Sequence, residues 1–401
     1  ADATIAAAAA FVASHVIDAG TVIGSYPNDK GATITYTDYG RSLDAAIALL
    51  AAGGQDATLG RTLTSVEAPE AVKSYTQGAP GDKADAAYVG ATAKLAFVTS
   101  ASGGDPTKVG GVDLVAQLTS LQTSGGRFAD RSSFGNYANL FGQAFALLAF
   151  QRAGQPTDAV VQGLISGQCP DGAFPVSFPE AGKPCTGSAD ATGLALQALA
   201  AAGQGSSAAA NSATNWLAGQ QKPDGSFPGE APVNSTGYAV AGLNAVAATT
   251  GNAVGYLTAQ QNSDGGLRTG AASATGSDLF ATAQALPALS GKTFQAAACS
   301  VQRQATLELG DTPILVTAPA ALTVHPPAHS VVELIADSRP STTFSVVPPA
   351  TLRASALLPW AVRPRRHPRP YPQPPGRPPT PPPPPPLATR RTVQRPAPRL
   401  P

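Results

Sequence analysis

The chain has 401 residues, of which 43% are hydrophobic and 13% are charged, and its formal net charge at pH 7 is +1. This length allows one large domain with a sizeable core and a smaller second unit. A nearly neutral chain lacks the basic surface that electrostatic binding to nucleic acid requires, so we expect no nucleic-acid partner.

Two kinds of helical segment alternate along the first three quarters of the chain, one more polar and one rich in Ala and Leu. The segment 39–52 has small and apolar residues on nearly every face, which is typical of a helix buried on two sides. Glycines such as Gly53 and Gly103 end the Ala-rich segments about every 40–50 residues. The sequence therefore predicts inner helices at 39–52, 86–100, 138–153, 191–202, 236–249 and 278–289. Outer helices are expected at 3–17, 64–75, 109–121, 158–166, 207–220 and 253–260, with a loop from 18 to about Tyr36.

A short sequence unit recurs between outer and inner helices. Residues 216–227 read WLAGQQKPDGSF and residues 256–267 read YLTAQQNSDGGL. The segments 163–174 and 117–128 keep the Gln, the Gly four residues later and a final aromatic residue. Asp-Gly and Gly-Gly supply tight turns because of their backbone geometry. Each unit is therefore expected to end an outer helix and connect it to the next layer.

Six helix pairs in series form either an open solenoid or a closed ring. A solenoid usually carries polar capping repeats at its ends, whereas the first and last inner segments here are as apolar as the middle ones. The sequence therefore predicts an all-α fold, a six-fold α/α toroid with six inner and six outer helices.

The pattern formed by Trp216, Leu217, Gln221, Gly225 and Phe227 resembles the repeat of squalene cyclases and related α/α toroids. These toroids include protein prenyltransferase β subunits and cobalamin carriers. The resemblance covers residues 1–295, with Phe227 where the cyclases usually have Trp. It implies the toroid fold with a central cavity, here in a secreted bacterial type, and such a fold hosts many functions.

The composition changes after Gly291. Short β-prone runs predict a small β module at 296–347. Residues 348–401 are rich in Pro and Arg, so they are expected to form a disordered tail or polyproline II. Such a composition is typical of a surface spacer, and it also arises when a GC-rich gene is translated out of frame; the sequence leaves both origins open.

Several features suggest an exported protein. The chain contains no Met and starts at Ala1, which fits a secreted or cell-wall-associated chain without its signal peptide. In an oxidising compartment Cys169 and Cys185, which flank one loop, are expected to form a disulfide; two reduced thiols are the alternative, and Cys299 stands alone. No apolar run is long enough to cross a membrane. A monomer is expected.

Candidate site residues lie near the predicted starts of the inner helices, which open on one end of the cavity. Acids there cap helices or contact a ligand, and Asp38, Asp44, Asp85, Asp190 and Asp278 are so placed. Aromatic residues at the same level either wall an apolar pocket or belong to the core. The predicted ligand-binding set is Asp38, Asp85, Tyr88, Tyr137, Phe141, Asp190, Tyr238 and Phe280. Three arginines, Arg127, Arg131 and Arg152, are expected to be solvated.

The motifs that the resemblance makes relevant are missing from the sequence. Squalene-type cyclases protonate their substrate with Asp-x-Asp-Asp, and here Asp190 is only a weak candidate for a catalytic acid because no second carboxylate accompanies it. The diphosphate-binding Asp-Asp-x-x-Asp run and the Cys-Gly-Glu-Gln thioester are also absent. His15 is expected on the first outer helix, away from the cavity, so an Asp/Cys/His zinc site cannot be assembled. No metal or cofactor is therefore expected.

Two functions remain open. The first is a non-catalytic toroid that binds an apolar or amphipathic small molecule or a cell-surface component. The alternative is an enzyme of terpenoid-cyclase or prenyltransferase type with atypical motifs. A carbohydrate-active barrel is disfavoured, because the inner helices lack a rich set of Trp, His and Glu.

Overall fold

The computed structural model describes residues 2–294, except 29–30, 79–80 and 181, together with seven strands between 305 and 365. Helices dominate the first part. In chain order it contains α1 (Asp2–Ser14), β1 (Val22–Pro27), β2 (Thr33–Asp38), α2 (Tyr39–Ala52), α3 (Asp56–Val66), α4 (Pro69–Thr76), α5 (Val89–Ala101), α6 (Leu114–Leu121), α7 (Leu140–Arg152), α8 (Asp158–Ile165), α9 (Ala189–Ala201), α10 (Ala208–Gln220), α11 (Pro232–Ala245), α12 (Ala253–Ala259) and α13 (Leu279–Leu289).

Six Ala- and Leu-rich helices form a closed inner ring. Helices α2, α5, α7, α9, α11 and α13 each pack against the next in this order, and α13 packs back against α2. The other helices lie outside this ring, with α3 and α4 together in the place of one outer helix. Closure is fixed by Gln261, whose side-chain Nε2 donates to the backbone oxygen of Thr4 in α1 at 2.9 Å. The predicted toroid is thereby confirmed.

Hydrogen bonds explain why the short sequence unit recurs. Gln221 Nε2 donates to the backbone of its own turn at 3.1 Å and to the oxygen of Thr250, ahead of the next outer helix, at 2.9 Å. The N–H of Phe227 then donates to Thr236 Oγ1 on the inner helix at 2.9 Å. Each unit therefore joins two outer helices and one inner helix. The units at 163–174 and 256–267 are built in the same way.

Caps and glycines set the helix boundaries. The side chains of Asp38, Ser188 and Asp278 each accept an N–H from the first turn of α2, α9 and α13. Gly203, which follows α9, has a φ of +73°, as a helix-ending glycine requires. Gly193 has another role, because a Cβ there would overlap the backbone of Tyr238. The backbones of α9 and α11 therefore pack at very close range.

Several elements differ from the sequence prediction; the outer helix predicted at 109–121, for example, begins only at Leu114. The outer helix predicted at 64–75 is split into α3 and α4, because Pro69 cannot continue a helix and instead occupies the first turn of α4. Residues predicted as a loop form the antiparallel hairpin β1–β2, with Val22 opposite Asp38. The helix predicted at 236–249 begins earlier, at Pro232, again with the proline in its first turn.

The strands beyond the toroid form two sheets. In the first sheet, β3 (Ala305–Glu308) pairs in parallel with β5 (Ala321–His325), and β5 pairs antiparallel with β8 (Leu352–Ser355). A four-stranded antiparallel sheet has the order β4 (Ile314–Val316), β9 (Trp360–Arg365), β6 (Val331–Ala336) and β7 (Arg339–Ser345). The boundaries 296–347 and 348–401 stay predictions, since most of the predicted tail, like Cys299, lies outside the described residues.

Candidate functional site

A cavity of about 750 Å³ lies at the N-terminal ends of the inner helices α7, α9, α11 and α13. One side of its wall is the loop that precedes α9, and another is the turn between α10 and α11. Its lining residues are Phe141, Val176, Thr186, Gly187, Ser188, Ala189, Asp190, Trp216, Gln220, Pro228, Gly229, Glu230, Ala231, Asn234, Ser235, Tyr238, Phe280 and Gln284. Four residues of the predicted ligand-binding set, Phe141, Asp190, Tyr238 and Phe280, are among them.

Aromatic rings form the apolar part of the wall. Tyr238 is 6% exposed, and its ring meets that of Phe141 edge-on with centroids 5.8 Å apart. Trp216 is held in place by Asp171, whose Oδ2 accepts from the indole Nε1 at 3.1 Å. Phe280, in the first turn of α13, is 36% exposed. Flat, rigid rings of this kind offer a large apolar area to a ligand.

Asp190 is the acidic group that lies deepest in the wall. Its Oδ2 accepts from Ser235 Oγ at 3.1 Å and from Ser188 Oγ at 3.4 Å. Burial raises the pKa of the Asp190 carboxyl above its usual value, although the two serine hydrogen bonds act in the opposite direction. The site therefore favours a protonated carboxyl more than water does.

A side-chain amide adds a second polar group. Asn234 is only 7% exposed, and its Nδ2 donates to Gln284 Oε1 at 2.9 Å. Its Oδ1 is buried without a hydrogen-bond partner among the described residues. Buried acceptors in native proteins are normally paired, so this oxygen is available to a ligand.

Phe294 packs between the inner helices α7 and α11. Its ring stacks on that of Phe145 with centroids 6.0 Å apart and meets Tyr238 at 6.3 Å. Its N–H donates to Gln197 Oε1 at 2.9 Å, and its carbonyl accepts from Arg152 Nη2 at 3.3 Å. The expectation that Arg152 is solvated was wrong. Its side chain is half-buried, and burial lowers its pKa.

A buried ion pair occupies the opposite sector of the ring. Lys94 Nζ on α5 lies 2.7 Å from Asp44 Oδ1 on α2 and donates to the oxygen of Gly40 at 3.0 Å. Burial raises the pKa of Asp44, and the Lys94 ammonium counteracts this. Asp44 lies near the start of α2, as expected, but one turn inside it, where it pairs with a neighbouring inner helix.

Four predicted site residues lie away from the cavity. Asp38 caps α2 by accepting from the Arg41 N–H at 2.9 Å, and Asp85 pairs with Arg131 at 3.2 Å on the surface. Tyr88 donates its hydroxyl to Asp82 at 2.7 Å. Tyr137 is 69% exposed. Only Phe141, Asp190, Tyr238 and Phe280 of the predicted set come together, and their role in ligand binding stays a prediction.

Several other expectations concern metals, membranes and cysteines. Within the part of the chain that the structure describes, no three His, Cys, Asp or Glu residues are grouped as metal ligands. His15 is exposed one residue beyond α1. No described helix is both long and apolar enough to span a membrane. Cys169 and Cys185 form the predicted disulfide, with their Cα atoms 5.6 Å apart.

Comparison with known proteins places the toroid among solved structures. No protein-family model and no curated protein sequence matches the chain. A substitution variant of the type II terpene cyclase MstE from Scytonema, in complex with its substrate geranylgeranyl dihydroxybenzoate, is 14% identical with a TM-score of 0.53, covering 72% of this chain and 96% of that one. A protein from Actinoplanes is 16% identical with a TM-score of 0.52, covering 72% and 98%. The chain thus has the α/α toroid fold of type II terpene cyclases, and at this identity the likeness extends to the fold alone.

Proposed function

We propose that the toroid binds an apolar or amphipathic small molecule in the cavity between α7, α9, α11 and α13, without converting it. The cavity itself carries this proposal. Its volume of about 750 Å³ falls within the range of roughly 300–1,000 Å³ that is typical of small-molecule sites. Its aromatic wall and few polar groups suit a largely apolar ligand. Phe294 packs against Phe145 and Tyr238, so we expect a ligand to enter from the end of the ring where the inner helices begin.

The surroundings of Asp190 support binding rather than catalysis. Protonating an alkene requires a strong acid that is regenerated by a proton relay. The groups that hydrogen-bond to Asp190 are two serine hydroxyls, from Ser188 and Ser235. Neither hydroxyl can supply a proton at neutral pH, and no second carboxylate among the described residues is hydrogen-bonded to Asp190. Asp190 would therefore offer a ligand in this cavity a polar contact rather than a proton.

A terpenoid-cyclase-like enzyme remains the second candidate, because one observation favours it. Burial raises the pKa of Asp190, and the carboxyl lies in the same wall as Phe141 and Tyr238. A protonated acid beside aromatic rings is the arrangement that could start and then stabilise a carbocation. The fold shared with MstE agrees with this alternative as well as with the first.

Binding is tested by narrowing the mouth. Thr186 is exposed and lines the cavity, so Thr186→Trp should fill part of it, whereas Thr64→Trp, at an exposed position of the outer helix α3, is the matched control. We expect a fluorescent apolar probe to bind the parent and the control equally, and the Thr186→Trp variant at least about tenfold more weakly. Equal binding by all three proteins would show that the probe does not occupy this cavity.

Catalysis is tested with the substrates of related toroids. The protein is incubated with squalene, with geranylgeranyl diphosphate and with geranylgeranyl dihydroxybenzoate, and the extracts are analysed by mass spectrometry. We expect no product. A product that disappears in Asp190→Asn, while that variant keeps its fold by circular dichroism, would overturn the non-catalytic proposal and identify Asp190 as the acid.

We further propose that the protein is exported from a bacterial cell as a monomer and acts outside it or at the cell wall. The Cys169–Cys185 disulfide supports this location, because structural disulfides persist in oxidising compartments. Fractionation of the producing cells, followed by size-exclusion chromatography with light scattering, would measure both properties. Protein found only in the cytosol, with both thiols reduced, would contradict the location.

A further inference from the structure

We propose that the cavity selects ligands whose polar end is a protonated amine, and that Asp190 and Asn234 receive this group. The inference rests on the proposed function and names the chemistry of its ligand. Both residues belong to the first turns of neighbouring inner helices, α9 and α11. Ser235, next to Asn234 in the chain, donates to Asp190 at 3.1 Å. The two acceptors therefore lie in one patch of the wall.

The charges in the wall are all of one sign. Its ionisable acids are Asp190 and Glu230, and none of the described lining residues is Lys, Arg or His. Arg41 lies at the rim, 5.9 Å from the ring centre of Phe280, but its guanidinium is paired with Asp38 at 3.5 Å. A carboxylate or phosphate head would therefore enter without a counter-ion from the wall, whereas an ammonium group would find two carboxyl groups.

Two polar groups in the wall, Asn234 and Asp190, both keep acceptor capacity. Asn234 Oδ1 is buried and has no partner among the described residues, while the Nδ2 of the same amide is already used by Gln284. Both serine bonds to Asp190 reach Oδ2, and a carboxylate offers roughly four acceptor positions. An ammonium group has three donors and no acceptor, so it matches this set.

The aromatic rings of the cavity also favour a cationic ligand. Cations are attracted to the faces of Trp, Tyr and Phe, and the attraction increases when the site is shielded from water. Trp216, Tyr238 and Phe141 line the cavity together with the two acceptors. Helix N-termini favour anions, but at α9 and α13 this preference is met by Asp190 and by the capping Asp278, which accepts from Ala281 N at 2.7 Å.

The test compares three probes that share one twelve-carbon chain: dodecylamine, 1-dodecanol and dodecanoate. Titration calorimetry below their aggregation limits should give the tightest binding for the amine and the weakest for the carboxylate, with about a tenfold difference or more between them. Asp190→Asn should weaken amine binding about tenfold and leave alcohol binding nearly unchanged. Asp158→Asn, which removes an exposed carboxylate from the outer helix α8, is the matched control and should change neither.

Each other outcome has a definite meaning. Dodecanoate binding as tightly as the amine, or more tightly, would overturn the inference, since helix N-termini would then dominate the wall. Equal binding of all three probes would also overturn it but leave the proposed function intact. Binding of none would overturn the proposed function as well. Because Asn234→Leu could disturb the contact with Gln284, Asp190→Asn, which keeps the shape of the side chain, is the primary variant.

Discussion

The Cys169–Cys185 disulfide fastens the loop that forms one wall of the cavity, and its removal is the sharpest test of how this wall is held. The bridge joins cysteines 16 residues apart. Val176 lies inside the closed loop, and Thr186 follows it directly; both line the cavity. The bridge therefore connects loop order to the shape of the site.

The expected magnitude follows from the length of the loop. In the chain-entropy treatment, closing a loop of about 16 residues adds about 3 kcal/mol to the free energy of unfolding. For a large domain, each 1 kcal/mol corresponds to roughly 2–4 °C in Tm. We therefore expect Cys169→Ala/Cys185→Ser to lower Tm by about 6–12 °C. Alanine suits position 169 because Cys169 is only 4% exposed.

Calorimetry of the parent and the double variant measures this difference. Both proteins carry Cys299→Ser, so that no third thiol can exchange with the bridge. A reductant should lower the Tm of the parent to that of the variant and leave the variant unchanged, which is the internal control. Equal Tm values before reduction, or free thiols at both positions in peptide mapping, would refute the reasoning. Unchanged probe affinity after reduction would show that the wall does not need the bridge.

Two further predictions concern the buried acids. Lys94→Met should destabilise the fold by about 3–5 kcal/mol in urea denaturation, because it leaves Asp44 buried without its partner. Adding Asp44→Leu should recover most of this loss. No recovery would contradict the conclusion that the loss comes from the unpaired Asp44 carboxylate. The folded pKa of Asp190 is raised by burial, so its contribution to stability is present at low pH and is lost as pH rises above about 4, the usual value for the unfolded chain. Asp190→Asn should therefore gain stability relative to the parent as pH rises above about 4, and a pH-independent difference in thermal melts would contradict a raised pKa of Asp190.

Sequence reasoning predicts the toroid well because its signals are local. Glycines such as Gly203 end the inner helices, and Asp278 and Ser188 cap them. The spacing of Gln221 and Phe227 is also a local signal, because both residues bond within or next to their own turn. The proline at position 69 was visible in the sequence as well. Applying the rule that proline begins a helix would have separated α3 from α4.

The candidate site is harder to predict, because its position depends on which part of the ring is filled by packed side chains and which part is left open as a cavity. All inner helices start at the same end of the toroid, so the sequence could not tell Tyr88 and Tyr137 from Phe141 and Tyr238. The pairing of Asp44 with Lys94 joins residues on different helices, and no short motif signals it. Asn234 was missed for a similar reason: its exceptional property is an unpaired oxygen, which follows from packing against α13 and cannot be seen in the residue type.

Two acids of the inner ring, Asp44 and Asp190, have opposite surroundings. Asp44 faces Lys94 at 2.7 Å, so its charge is balanced within the fold. Asp190 lies on the opposite side with two serine hydroxyls as partners, and its wall contains no Lys, Arg or His among the described residues. Burying a carboxyl without a cation is unfavourable, and a cationic ligand would remove that cost. The relief of this unfavourable burial would then contribute to the affinity for the ligand.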